Sequence, residues 1–154
     1  MRIIICSMLL LLFSSQYAKG SELDCLTEAL YFEARSEPFI GQLAVANVIL
    51  ERVNSRSFPN TVCGVVHAGV EWNGAPVRHR CAFSYWCDGK HERMVNIEAE
   101  KESRNIARMA IDGIVYAGVH GATHYHASYV KPEWAGRFYF LIRIGKHLFY
   151  EGEY

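Results

Sequence analysis

The chain has 154 residues and carries no net charge, no internal repeat and no long apolar run. Its 16 Lys and Arg balance 16 Asp and Glu, so no strong global field draws it to nucleic acid or anionic lipid. The longest apolar stretch, Ile3 to Phe13, is interrupted by Cys6 and Ser7 and is eleven residues long. A membrane-spanning helix takes roughly 17–25. Cys-x-x-Cys and His-Glu-x-x-His are both absent, which removes two common signatures of a zinc site. Ser84 lacks the Gly-x-Ser-x-Gly elbow of a serine hydrolase.

What is present begins with Arg2 ahead of the apolar stretch and Ala18-Lys19-Gly20 behind it. This is the pattern of a signal peptide over residues 1–20, cut before Ser21. The remainder, 21–154, has a length suited to one domain, exported to the periplasm or beyond and with no stable membrane insertion after cleavage. Losing Arg2 and Lys19 leaves 14 basic against 16 acidic side chains, a formal charge of −2. Four cysteines stay: Cys25, Cys63, Cys81 and Cys87. In an exported chain these imply two disulfides, in one of three pairings. Cys81 and Cys87 are six apart, a poor spacing for a zinc finger.

The apolar spacing predicts a helix from Cys25 to about Ser36, capped by Asp24 and stopped by Pro38. A second helix, Gly41 to Val53, is apolar nearly all round and is expected at the centre of the domain. Thr61 is placed to cap a short helix from Cys63 to His67. Residues 68–80 read as loop, and Cys81 to Cys87 as a short strand followed by an Asp88-Gly89 turn. A third long helix is expected from Asn96 to about Tyr116, with Ile97, Ile106, Met109, Ala110 and Ile114 inward. Phe138 to Tyr150 reads as strand or extended chain. The fold class expected is α+β, mainly α, with a small β element.

Glu33 follows two aromatic residues late on the first helix. Partial desolvation there would raise its pKa towards that of a general acid; a surface Glu on an amphipathic helix is the plainer reading. Glu37 would share its face only if the helix continued past Pro38, and an anchoring role suits it as well as a catalytic one. His124 and His126 flank Tyr125 and point the same way in extended chain. They read as metal ligands with His147 or Glu33, as the lining of a sugar groove with Tyr125, Tyr129 and Trp134, or as structural hydrogen-bonding groups. Phe83, Tyr85 and Trp86 suit sugar faces, and suit core packing equally.

Taken in order, these segments resemble the SleB/CwlJ family of cell-wall hydrolases, known from spore-cortex-lytic enzymes. The pieces are Tyr31-Phe32-Glu33-Ala34-Arg35-Ser36-Glu37-Pro38, Gly41-Gln42-Leu43-Ala44-Val45-Ala46, Phe58-Pro59-Asn60-Thr61-Val62-Cys63-Gly64, Cys81-Ala82-Phe83-Ser84-Tyr85-Trp86-Cys87-Asp88-Gly89, Gly121-Ala122-Thr123-His124-Tyr125-His126-Ala127, Pro132-x-Trp134-Ala135 and Ile144-Gly145-x-His147-x-Phe149-Tyr150. Ser36, Glu51 and Ala82 depart from the family's usual Gly, Asn and Gln. The resemblance implies a lysozyme-like catalytic domain acting on peptidoglycan between N-acetylmuramic acid and N-acetylglucosamine, as a lytic transglycosylase with Glu33 as its acid. Against the substrate it implies Glu37, Ser84, Tyr85, His124, Tyr125, His126 and Trp134, with no resident metal or cofactor. A second carboxylate has only Glu37 and Asp88 as candidates. A zinc-dependent amidase built on His124 and His126, and a non-catalytic peptidoglycan-binding domain, are the alternatives.

Overall fold

A computed structural model describes residues 22–152. The expected signal peptide and its cleavage site lie outside the described residues. Among those described, no helix is long and apolar enough to cross a membrane.

The first helix, α1, runs through residues 22–34. Asp24 therefore lies inside it and does not cap it; its carboxylate instead pairs with Arg104 at 2.8 Å. Leu26, Ala29, Leu30 and Ala34 recur at helical spacing and are fully buried. Pro38 opens α2, Phe39–Asn54, whose residues from Gly41 to Ile49 are all buried. An apolar circumference leaves a helix nowhere to go but the centre, and α2 packs against the helix Ile97–Ile111, the strand Ala122–Ala127 and the short helix Val62–Val66. Thr61 caps the short α3, Val62–Val66, its hydroxyl accepting the Gly64 amide at 3.0 Å. Glu22 reaches from α1 to accept the Val62 amide at the same end. The Cys25–Cys63 disulfide fastens α1 to α3.

Residues 68–80 are not loop. They form a hairpin, β1 (Gly69–Trp72) and β2 (Ala75–Cys81). Asn73 and Gly74 supply two successive positive φ values, 51° and 75°, the requirement of the tight hairpin turn that suits strand twist. Pro76, opposite Glu71, stands on a strand with one open side, the setting in which a strand tolerates proline. Cys81 to Cys87 is not a strand either. The Cys81–Cys87 disulfide holds its ends 6.1 Å apart, whereas six extended steps span about 20 Å; the chain coils instead into a 3₁₀ turn over Ser84–Cys87.

Helix α4, Ile97–Ile111, is shorter than expected. Asn96 caps it, accepting the Ala99 amide at 3.0 Å. Ile106 and Ala110 face inward as read, but Ile97 is 64% and Ile114 48% exposed. Ile114 falls beyond the helix because Asn47 of α2 turns the chain away: its amide donates to the Ile114 carbonyl and its carbonyl accepts the Tyr116 amide. A three-stranded antiparallel sheet follows in the order β3–β5–β4, from Ala122–Ala127, His147–Glu151 and Tyr139–Ile144. It lays β3 along α2. The result is the α+β, mainly helical architecture expected of a lysozyme-like domain.

Candidate active site

Glu33 sits in the last turn of α1, where the chain is about to leave the helix. That placement sends its carboxyl towards the face of β3. The Tyr125 hydroxyl donates to Glu33 Oε2 at 3.4 Å. Tyr125 is itself held edge-on against His147, with ring centroids 5.1 Å apart, and tilted on Phe149. In the last turn of α2, Arg52 donates from Nε to the Thr123 carbonyl at 2.7 Å. This bond sets the guanidinium between the rings of Phe58 and Phe83 and within electrostatic reach of Glu33. Phe32, the neighbour of the acid, stacks on Tyr85 at 4.8 Å.

Burial is the largest influence on Glu33 and raises its pKa above the usual carboxylate range; the Tyr125 hydrogen bond and the Arg52 charge oppose the rise. The carboxyl is thus placed to hold a proton, while two groups stand ready to receive its ionised form. Burial, and then the nearby Glu33 charge, push the Tyr125 phenol well up, so it stays a donor. The Tyr85 phenol is also raised, first by burial and then by the Glu28 and Glu33 charges. Its buried hydroxyl lies beside those carboxylates.

A cleft of about 560 Å³ opens over this group. Its lining includes Glu33, Phe32, Arg52, Ala82, Phe83, Ser84, Tyr85, Asp88, Tyr125, His126, Tyr129, Val130 and His147. Of the residues singled out in the sequence, the structure brings Glu33, Ser84, Tyr85, Tyr125 and His126 together here. It does not bring Glu37, His124 or Trp134 to the cleft wall. Glu37 is buried under the β4–β5 turn, its Oε2 accepting the Lys146 amide at 2.8 Å. His124 packs among Trp134, Phe138 and Phe58; burial first, then Arg52, lowers its pKa to about 4.

His126 is fully engaged. Its Nδ1 lies 2.9 Å from the Ala127 carbonyl and its Nε2 3.0 Å from the Tyr150 hydroxyl. A carbonyl only accepts, so Nδ1 carries the proton and Nε2 accepts from Tyr150. Neither nitrogen offers a free lone pair to a metal, and among the described residues no three His, Cys, Asp or Glu side chains are disposed to hold one. Asp88 does reach the cleft, but its Oδ1 accepts the Lys90 amide at 2.8 Å and its Oδ2 faces the Lys90 ammonium at 3.3 Å. These contacts, the amide first, lower its pKa.

Arg52 is a candidate site residue that motif reading does not single out. Its position in the Arg52-Val53 end of an otherwise apolar helix was the available signal: a cation closing a buried helix needs a partner within the fold.

Residues 36–150 match the family model described as Cell Wall Hydrolase. The match starts just past Glu33. Among curated proteins, the spore cortex-lytic enzyme of Halalkalibacterium halodurans is 32% identical over 130 residues, covering 84% of this chain and 34% of its own length. That of Bacillus subtilis is 32% identical over 133 residues, covering 86% and 38%. The chain thus spans well under half the length of these relatives. Two solved structures are similar over nearly all of theirs. The catalytic domain of the germination-specific lytic transglycosylase SleB from Bacillus anthracis gives a TM-score of 0.63 at 31% identity, covering 84% of this chain and 93% of that one. The catalytic domain of the Bacillus cereus SleB protein gives 0.60 at 31% identity, covering 86% and 91%.

Proposed function

The chain belongs to the cell wall hydrolase family, and from that premise we propose that it cleaves the glycan strand of peptidoglycan between N-acetylmuramic acid and N-acetylglucosamine, as a lytic transglycosylase with Glu33 as its one catalytic carboxyl. The observation that carries this reading is Glu33 itself: a desolvated carboxyl in the cleft, with a phenol and a guanidinium beside it.

In the first step the Glu33 carboxyl gives its proton to the bridging oxygen, and the bond from that oxygen to the muramic acid C1 breaks. In the second, the C6 hydroxyl of the same sugar attacks C1 while its proton passes to the Glu33 carboxylate. A 1,6-anhydro ring closes and Glu33 ends as it began, protonated, with no water consumed. Tyr125 and Arg52 stabilise the carboxylate that exists between the two steps. A pair of carboxyls at set separation is what a hydrolytic glycosidase commonly uses. Asp88, the other carboxylate at the cleft, has both oxygens committed to Lys90, which supports the single-acid scheme. Ser84, Tyr85, Tyr125 and His126 are the proposed contacts to sugar. Action on peptidoglycan agrees with the signal peptide and export inferred for residues 1–20.

The test is product analysis by mass spectrometry after digestion of purified peptidoglycan. Anhydro-muramoyl ends that vanish in Glu33→Gln are the expected result. Ordinary reducing ends would replace the scheme by hydrolysis, and free stem peptides would replace it by amidase action.

A further inference from the structure

The β1–β2 hairpin has almost no core of its own. Every residue of β1 is exposed, and in β2 only Val77 and Cys81 are partly covered. An isolated two-stranded hairpin is marginal in water. This one leans chiefly on the Ser84–Cys87 turn, to which the Cys81–Cys87 disulfide ties its root. It nevertheless carries a tryptophan beside its turn, Trp72, with 76% of its surface open to solvent.

The arm grows directly out of the cleft, for Cys81 and Ala82 belong to the cleft wall. Gly69 pairs with Cys81 at the root and Trp72 with Ala75 at the turn, so Trp72 stands three strand residues, about 10 Å, beyond that wall. Along β2 Arg78 and Arg80 face solvent, against the one carboxylate of the arm, Glu71. Arg78 Nε donates to the Asp88 carbonyl at 3.1 Å, which turns this basic stretch towards the cleft-lining Asp88–Gly89 turn. An aromatic face with basic groups between it and the cleft fits a strand that offers flat sugar rings and carboxylated side branches.

We infer that the β1–β2 hairpin is a second binding surface for polymeric peptidoglycan, on which Trp72 stacks against a sugar ring and Arg78 and Arg80 meet stem-peptide carboxylates. The inference rests on the substrate class proposed above. A surface that begins about 10 Å outside the cleft wall is reached by a strand of several sugars and missed by a short fragment bound at Glu33. The hairpin therefore selects for length and leaves the chemistry untouched.

Binding of the Glu33→Gln protein to purified sacculi, read by co-sedimentation, tests this without any need for turnover. Adding Trp72→Ala should weaken binding about tenfold, as expected for loss of a stacked aromatic, and adding Arg80→Glu should weaken it further. In the protein that keeps Glu33, Trp72→Ala should leave cleavage of a soluble tetrasaccharide unchanged. Sacculus binding unaltered by Trp72→Ala overturns the proposal, and so does an equal loss on sacculi and tetrasaccharide. A dimer seen by light scattering and lost in Trp72→Ala, with sacculus binding intact, would make the arm a self-association surface and overturn it too. Should the protein bind sacculi through Trp72 yet release no fragment, the surface stands and the catalytic reading fails.

Discussion

The Tyr125→Phe substitution isolates what one hydroxyl does for the acid. The ring survives, so its packing on His147 and Phe149 is kept, and only the 3.4 Å bond to Glu33 Oε2 is lost. Hydrogen bonds to charged groups contribute about 1.5–3 kcal/mol. At 3.4 Å this one belongs at the bottom of that range. About 1.5 kcal/mol corresponds to roughly tenfold in rate, and kcat should fall by that factor while KM stays close to its original value. The pH profile carries the sharper signature. Burial raises the Glu33 pKa, and Tyr125 is the first of the two influences that oppose it. With the hydroxyl gone, Glu33 keeps its proton to higher pH, and the alkaline limb of kcat/KM moves up. The assay is fragment release from labelled peptidoglycan between pH 4 and 9, with a thermal melt to confirm folding. A limb that stays in place, or moves down, refutes the reasoning, since then the hydroxyl does not bear on the ionised acid. A fall in rate with an unmoved limb would assign the hydroxyl to the substrate instead of to the ionised acid.

Ionising Glu33 costs stability because its folded pKa is raised, and that cost enters as pH rises through the folded value. Glu33→Gln should therefore abolish turnover and melt above the parent protein at pH 7.5, the gap closing near pH 4; a lower melting point at pH 7.5 would make the carboxylate structural. Asp88→Asn should keep most activity and all anhydro products, and its inactivation would restore a two-carboxylate mechanism. His124 has its pKa lowered from 6.5 to about 4, so the unfolded chain takes up a proton first as pH falls through that window. Its burial should cost up to about 3 kcal/mol of stability between those values, and His124→Gln should flatten the acid limb of a denaturation series. The Cys25–Cys63 bridge closes a separation of 38 residues and Cys81–Cys87 one of 6. Loop entropy alone makes removal of the first cost about 4 kcal/mol and of the second about 2, an order that paired Cys→Ala variants in urea would check.

The centre of this fold was legible because its signals are local. An apolar circumference buries α2, and a proline bounds it. Thr61 and Asn96 stand where caps are needed. The hairpin escapes a loop reading of residues 68–80 although Asn73-Gly74 is a strong local sign, because Gly69, Gly74 and Pro76 resemble breakers and are in fact an entry, a turn and an edge residue. Cys81 to Cys87 was misread because a disulfide between its two ends overrides the extended preference of its aromatics, and pairing is not written in spacing. At the site, Glu33, Tyr85 and Tyr125 were readable from motif and chemistry. Glu37, His124 and Trp134 were named alongside them as if one stretch of sequence faced one way. The β4–β5 turn claims Glu37, and the far side of β3 claims the other two. Arg52 has only a faint local sign, a cation at the end of a buried helix, because its partners, Glu33 and the Thr123 carbonyl, come from distant segments.

The contact between Tyr125 and Glu33 joins residues 92 positions apart, and β3 is held in place by β5, the last strand described. The acid is therefore without its phenol until residues 147–151 have emerged and paired. A chain that has delivered α1, α2 and the cleft wall as far as Val130 still lacks the strand that orients the donor, and with it His147 of the wall. The proposed acid and its donor therefore meet only across the β3–β5 pairing, and the site forms with the tertiary fold and not before it.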